Sequence, residues 1–99
     1  KYAVGIDVGG TNTRVALINE EYKILDASSF SKDPEVTLQK IGEIIKGFAK
    51  EIEGIGISCP GPLDLIGGVV LTPPNLPGWH YLPLSKRLEE ITGVKVALE

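Results

Sequence analysis

Two apolar runs, Tyr2–Val8 and Arg14–Ile18, are separated only by the short polar stretch from Gly9 to Thr13. A parallel pair of strands needs a crossover of a dozen or more residues, so these two must run antiparallel. Gly9-Gly10 is expected to supply the positive φ angles of the reversal. Asn19, Glu20 and Glu21 form a second polar turn, and Tyr22–Ser31 reads as a third strand. The chain therefore begins as an antiparallel meander. Tyr2–Val8 is apolar on both faces, which predicts a central position in the sheet.

The pattern then changes period. Asp33-Pro34 combines a good N-cap residue with a proline suited to the first turn. Leu38, Ile41, Ile44, Ile45 and Phe48 follow at helical spacing, so the helix buries one face on the sheet. Gly42 and Gly47 weaken it by about 1 kcal/mol each relative to alanine, unless close packing uses them. Ile52–Ser58 is a fourth strand. A long Gly/Pro loop region runs from Cys59 to Pro83, with a small hairpin around Gly67-Gly68. Leu84–Thr92 is a short helix stopped by Gly93, and Val94–Leu98 is a fifth strand. Strands joined through helices pair in parallel. The expected architecture is one α/β domain with a mixed five-stranded sheet, an antiparallel meander followed by βαβ crossovers. It lacks the strict alternation of a doubly wound dinucleotide fold.

Composition narrows the function classes. At 99 residues and 42% hydrophobic, the chain can bury an ordinary globular core. Its net charge of −3, with acids and bases mixed, argues against a nucleic-acid or anionic-membrane surface. Cys59 is the only cysteine, so no internal disulfide forms, and a cytoplasmic location fits. No apolar run is long enough to span a bilayer, and no signal-peptide pattern opens the chain.

The chemistry concentrates in Val4–Leu17, "VGIDVGGTNTRVAL". Asp7 is a carboxylate at the end of a strand read as buried, a costly placement unless it is paired or holds a cation. Glycine lets main-chain N–H groups approach an anion closely, and successive N–H groups in a turn form an anion-binding nest. Gly9, Gly10, Thr11 and Asn12 supply that cradle. Mg²⁺ binds through one or two carboxylates plus substrate phosphates, so Asp7 beside the cradle makes a coherent nucleotide–metal site. Arg14 either contacts phosphate or pairs with an acid. The stretch lacks the Gly-Lys-Ser/Thr ending of a Walker loop and the glycine spacing of a dinucleotide fingerprint. Elsewhere, Pro60-Gly61-Pro62 reads as a rigid loop and Asn75 as a turn residue. Trp79 reads as a loop anchor, His80 as a surface residue and Cys59 as a small buried one.

Asp7-Val8-Gly9-Gly10-Thr11 on a hairpin resembles the first phosphate motif of the actin-like ATPase superfamily. "GIGISCPGPLD" (Gly54–Asp64), "PNLPGW" (Pro74–Trp79) and "GVKVALE" (Gly93–Glu99) extend the resemblance to the ROK family of repressors and kinases, nearest its glucokinases. The resemblance covers essentially the whole chain. It implies an actin-like ATPase (ribonuclease-H-like) lobe over residues 1–99 and an ATP- and Mg²⁺-dependent hexose kinase, with glucose the first choice, working as a homo-oligomer when complete. It places Gly61, Pro62 and Asn75 at the sugar, and Asp7 at the Mg²⁺. In the family pattern an Asn-Asp pair follows the position of Glu99, and its aspartate is the general base. This chain alone is therefore expected to be inactive.

Other readings use the same residues differently. A ROK repressor would carry a helix-turn-helix ahead of Tyr2. A ribonuclease-H-like nuclease would need several acids at the strand ends for two metals. A free-standing binding module of this length is the third.

Overall fold

The computed structural model describes residues 1–10, 12–19, 24–29 and 33–99. Thr11, the Glu20-Glu21 turn and the ends of the predicted third strand (Tyr22, Lys23, Phe30 and Ser31) lie outside the described residues.

Strands β1 (Tyr2–Val8), β2 (Thr13–Asn19) and β3 (Ile24–Ser29) form the meander. Helix α1 (Pro34–Gly47) leads to β4 (Ile52–Ser58), which pairs parallel with β1. A hairpin of β5 (Leu63–Asp64) and β6 (Val69–Val70) precedes a 3₁₀ turn at Pro77–Trp79. Helix α2 (Leu84–Thr92) and strand β7 (Val96–Leu98), parallel to β4, follow. The main sheet has five strands in the order β3-β2-β1-β4-β7, so β1 is central as its apolar pattern predicts.

Local chemistry sets the element ends. The Asp33 carboxylate accepts the N–H groups of Glu35 at 2.9 Å and Val36 at 3.1 Å, with Pro34 opening the helix. Gly93 adopts φ 71° and its N–H donates to the Glu89 carbonyl at 2.8 Å, ending α2. Gly42 is a close-packing position: a Cβ there would come within 2.6 Å of Ile91 Cγ2, so it lets α1 and α2 approach. A Cβ on Gly47 would meet nothing within 4 Å. Arg87 donates to both carboxylate oxygens of Glu35, at 2.7 and 2.6 Å, tying α2 to the first turn of α1.

The core lies between these helices and one face of the sheet. Val4, Ile6, Val8, Val15, Leu17, Ile55 and Ile57 alternate inward and are buried with Leu38, Ile41, Leu84 and Leu88. The opposite face corrects the reading of β1 as apolar on both sides. Ala3, Asp7, Arg14, Ser58 and Ala97 are exposed there, and Gly5, Ala16 and Gly56 are half-buried. These side chains are small or polar and do not need the cover that a valine or isoleucine face would.

Two further expectations are revised. The Cys59–Pro83 region holds the expected hairpin, but it is otherwise more than a loop. Val70, Leu76, Trp79 and Leu82 from it enter the core, and Val70 forms a β-bridge with Leu82. Sheet pairing of β7 begins at Val96, not Val94. The Val94 N–H donates to Thr92 Oγ1 at 3.2 Å and the Val96 N–H to Glu89 Oε2 at 2.9 Å, so side chains of α2 guide the chain into the sheet. Among the described residues no helix is long and apolar enough to cross a membrane.

Candidate functional site

Ligands in open α/β sheets bind beyond the carboxyl ends of parallel strands. Here β1 and β4 run parallel and end at Val8 and Ser58. Asp7 lies directly opposite Arg14 on β2 and opposite Ser58 on β4, so three polar side chains form one row across three strands. In the row behind them, Ala16 pairs with Gly5, Gly5 with Gly56, and Gly56 with Ala97. With side chains this small, the sheet surface is hollowed. The result is a groove of about 550 Å³ lined by Gly5, Ala16 and Gly56 on its floor and by Asp7, Arg14, Ser58 and Glu99 among its polar groups.

Asp7 is exposed on this groove, not enclosed in the sheet. The sequence reading took its strand as buried; the carboxylate sits on the face that the described helices leave open. Its charge reaches inward all the same. Burial pushes the Cys59 thiol up to about 11, and the negative charge of Asp7 adds to the rise. Cys59 is a free, buried thiol, as expected of a small core residue.

The loop joining β1 to β2 differs from the expected glycine turn. The register Val8↔Thr13 leaves Gly9–Asn12 between the strands, and the Gly9 N–H donates to the Asn12 carbonyl at 2.8 Å. Hairpin loops of this length do not need the left-handed central residues of a two-residue turn. Gly9 and Gly10 accordingly do not take positive φ. Among the described glycines only Gly68 and Gly93 do. Gly9 instead serves space. A Cβ on Gly9 would come within 3.0 Å of the Asn12 carbonyl oxygen. The Gly9 amide is committed to closing the loop. Asn12 and Arg14 are exposed beside this loop, and Thr11 is outside the described residues.

The predicted sugar-side residues are all exposed. Asn75 lies beside Gly10: a Cβ on Gly10 would stand 3.6 Å from Asn75 Cβ. Gly61 and Pro62 are exposed just after β4, joined by a cis peptide, and the Pro62 carbonyl accepts the Leu71 N–H at 3.0 Å. Within 4 Å a Cβ on Gly61 would meet only Leu63 among the described residues. Trp79 is fully buried and anchors its loop, whereas His80 is exposed.

Sequence reasoning missed Ser58, Gly56 and the position of the Glu99 side chain. The Glu99 carboxylate lies over Gly56, with Oε1 3.4 Å from where a Cβ would be, and the Glu99 N–H donates to the Ile57 carbonyl at 2.7 Å. The signal was present in the period of two along β4. Once Asp7 is assigned to one face, alternation places Gly56 and Ser58 on that face too.

The ROK family pattern matches residues 3–99. The chain belongs to the ROK family. This ROK chain is 36% identical over 102 residues to a glucokinase of Thermotoga maritima, covering 97% of the chain and 32% of that protein. It superposes on a ROK hexokinase from Thermus thermophilus with a TM-score of 0.86 at 31% identity, covering 100% of the chain and 35% of that structure. A ROK family glucokinase from Streptomyces griseus, solved with glucose and AMPPNP, gives a TM-score of 0.87 at 27% identity, covering 100% of the chain and 33% of that structure. The fold is that of the actin-like ATPases and the ROK sugar kinases. The chain spans about a third of the length of the curated relatives it matches.

Proposed function

We propose that this chain is the N-terminal lobe of an ATP-dependent hexose kinase acting on glucose. The observation that carries the reading is the placement of Asp7. It is an exposed carboxylate at the carboxyl end of the central strand, in register with Arg14 and Ser58 and adjoining the Gly9–Asn12 loop. The names of the relatives, glucokinase and hexokinase, support the reaction class. The glucose and AMPPNP bound by the Streptomyces griseus protein support the substrate pair.

The residues fit a metal that arrives with nucleotide. No group of three His, Cys, Asp or Glu side chains among the described residues could hold an ion by itself. Mg²⁺ bound to nucleotide phosphates needs only one or two protein carboxylates, and Asp7 is placed to be one, directly or through water. When bound, Mg²⁺ supplies neutralisation of the charge on the transferring phosphoryl group. The loop amides from Gly10 onward hold terminal phosphates, Arg14 balances their charge, and Asn75 with the Gly61-Pro62 backbone orients the hexose. The general base is assigned to sequence beyond Glu99. Catalysis in such a cleft is chiefly alignment and electrostatic stabilisation.

The test is hexose-dependent ADP release by the full-length protein, with Asp7→Ala beside it. Turnover of the variant is expected to fall roughly 10²-fold or more, while calorimetric glucose affinity stays at the wild-type value. Absence of ADP release from wild type with glucose or other hexoses would refute the kinase reading. Unchanged turnover in Asp7→Ala would remove Asp7 from the mechanism.

A further inference from the structure

We infer that Gly10 is a positioning residue for Asn75, so that the residue at position 10 sets hexose affinity as well as the room for phosphate. The inference rests on the hexose-kinase reading of the same site.

Backbone conformation does not require glycine at position 10, because its φ is not positive. An alanine would fit there without strain. Its Cβ would stand 3.6 Å from Asn75 Cβ, ordinary van der Waals contact, with nothing else described within 4 Å. What the position cannot take is a branched side chain. Valine carries two further carbons on Cβ and is stiff about χ1, and Asn75 occupies the direction in which Cβ points.

The loop carrying Asn75 cannot retreat easily. Leu76 follows it in the core at 1% exposure, and Trp79 is at 0%. The Leu76 N–H donates to the Pro73 carbonyl at 3.3 Å and the Trp79 N–H to the Leu76 carbonyl at 2.9 Å. On the far side, a Cβ on Gly78 would come within 3.4 Å of Pro34 Cδ, so the 3₁₀ turn is seated against the start of α1. With its backbone held on the core, the part of Asn75 free to move is its exposed side chain. Enlarging residue 10 therefore turns the Asn75 amide away from a hexose hydroxyl. A glycine serving phosphate alone would leave sugar binding without nucleotide untouched.

The experiment is calorimetric titration of glucose into the full-length protein with no nucleotide present. Gly10→Ala is expected to bind glucose as wild type does. Gly10→Val and Asn75→Gly are each expected to bind it more weakly, by roughly two- to tenfold, as for loss of one hydrogen bond to the sugar. In the Asn75→Gly background, Gly10→Val is expected to cause no further loss, because the atom it presses on is gone. If Gly10→Val does not fold, Gly10→Thr carries the same test with a branched but polar side chain. Wild-type glucose affinity in the enlarged variant, or additive losses in the double variant, would overturn the inference and leave the kinase reading standing. Failure of the wild-type protein to bind or phosphorylate any hexose would overturn that reading and the inference with it.

Discussion

Gly68→Ala should be among the most damaging single-methyl additions in the chain. Gly68 is buried at the end of the β5–β6 turn with φ 69°, and its carbonyl accepts the Ser85 N–H at 3.1 Å. A Cβ there would lie 2.5 Å from Ser85 Cβ and 2.6 Å from its Oγ. Two costs arise. A left-handed conformation costs an L-residue about 1–2 kcal/mol. Forcing a carbon into an occupied site costs about 1–3 kcal/mol more. The sum, about 2–5 kcal/mol, is a large part of the total stability of a small domain. Urea unfolding followed by the emission of Trp79, the only tryptophan, measures it. Repeating the substitution in a Ser85→Gly background separates the two costs. The steric part should vanish there, leaving about 1–2 kcal/mol for the backbone alone. A loss below about 1 kcal/mol in the Ser85 protein, or equal losses in both backgrounds, would refute the reasoning.

Ser85→Ala should leave stability unchanged or raise it by about 1 kcal/mol, because Ser85 Oγ is buried with no hydrogen-bond partner among the described residues; a loss of similar size in the same urea assay would reveal a partner. Cys59 should react slowly with a disulfide reagent at pH 8 and faster as pH climbs toward 11, since burial and then the charge of Asp7 raise its thiol from 9.0 to about 11. The raised value also fixes the sign of its contribution to stability, which is present below pH 9 and lost as pH rises through about 11. Asp7→Asn should lower the onset of reactivity, and rapid labelling of native protein at pH 8 would contradict the burial argument.

Sequence alone determined what depends on near neighbours in the chain. The extent of β1, the antiparallel turn into β2, the Asp33 cap on α1 and the Gly93 stop of α2 all follow from local patterning and caps that act over a few residues. It also picked out Asp7, because a carboxylate at the end of an apolar run beside two glycines is conspicuous without any fold. Tertiary structure decided the rest. Gly9 and Gly10 looked like residues needed for φ, but the register made the loop long enough to do without it, and a Cβ would be crowded only at Gly9. The groove exists because Gly5, Gly56, Ala16 and Ala97 share one level across four strands, a coincidence of register between segments far apart in the chain. The Cys59–Pro83 region has no helical or strand period to read, and its order comes from Leu76, Trp79 and Leu82 entering the core. Asn75 meets Gly10 for the same reason. Burial of the residues that follow it brings Asn75 beside Gly10, and burial is a property of the whole packed chain that no local pattern carries.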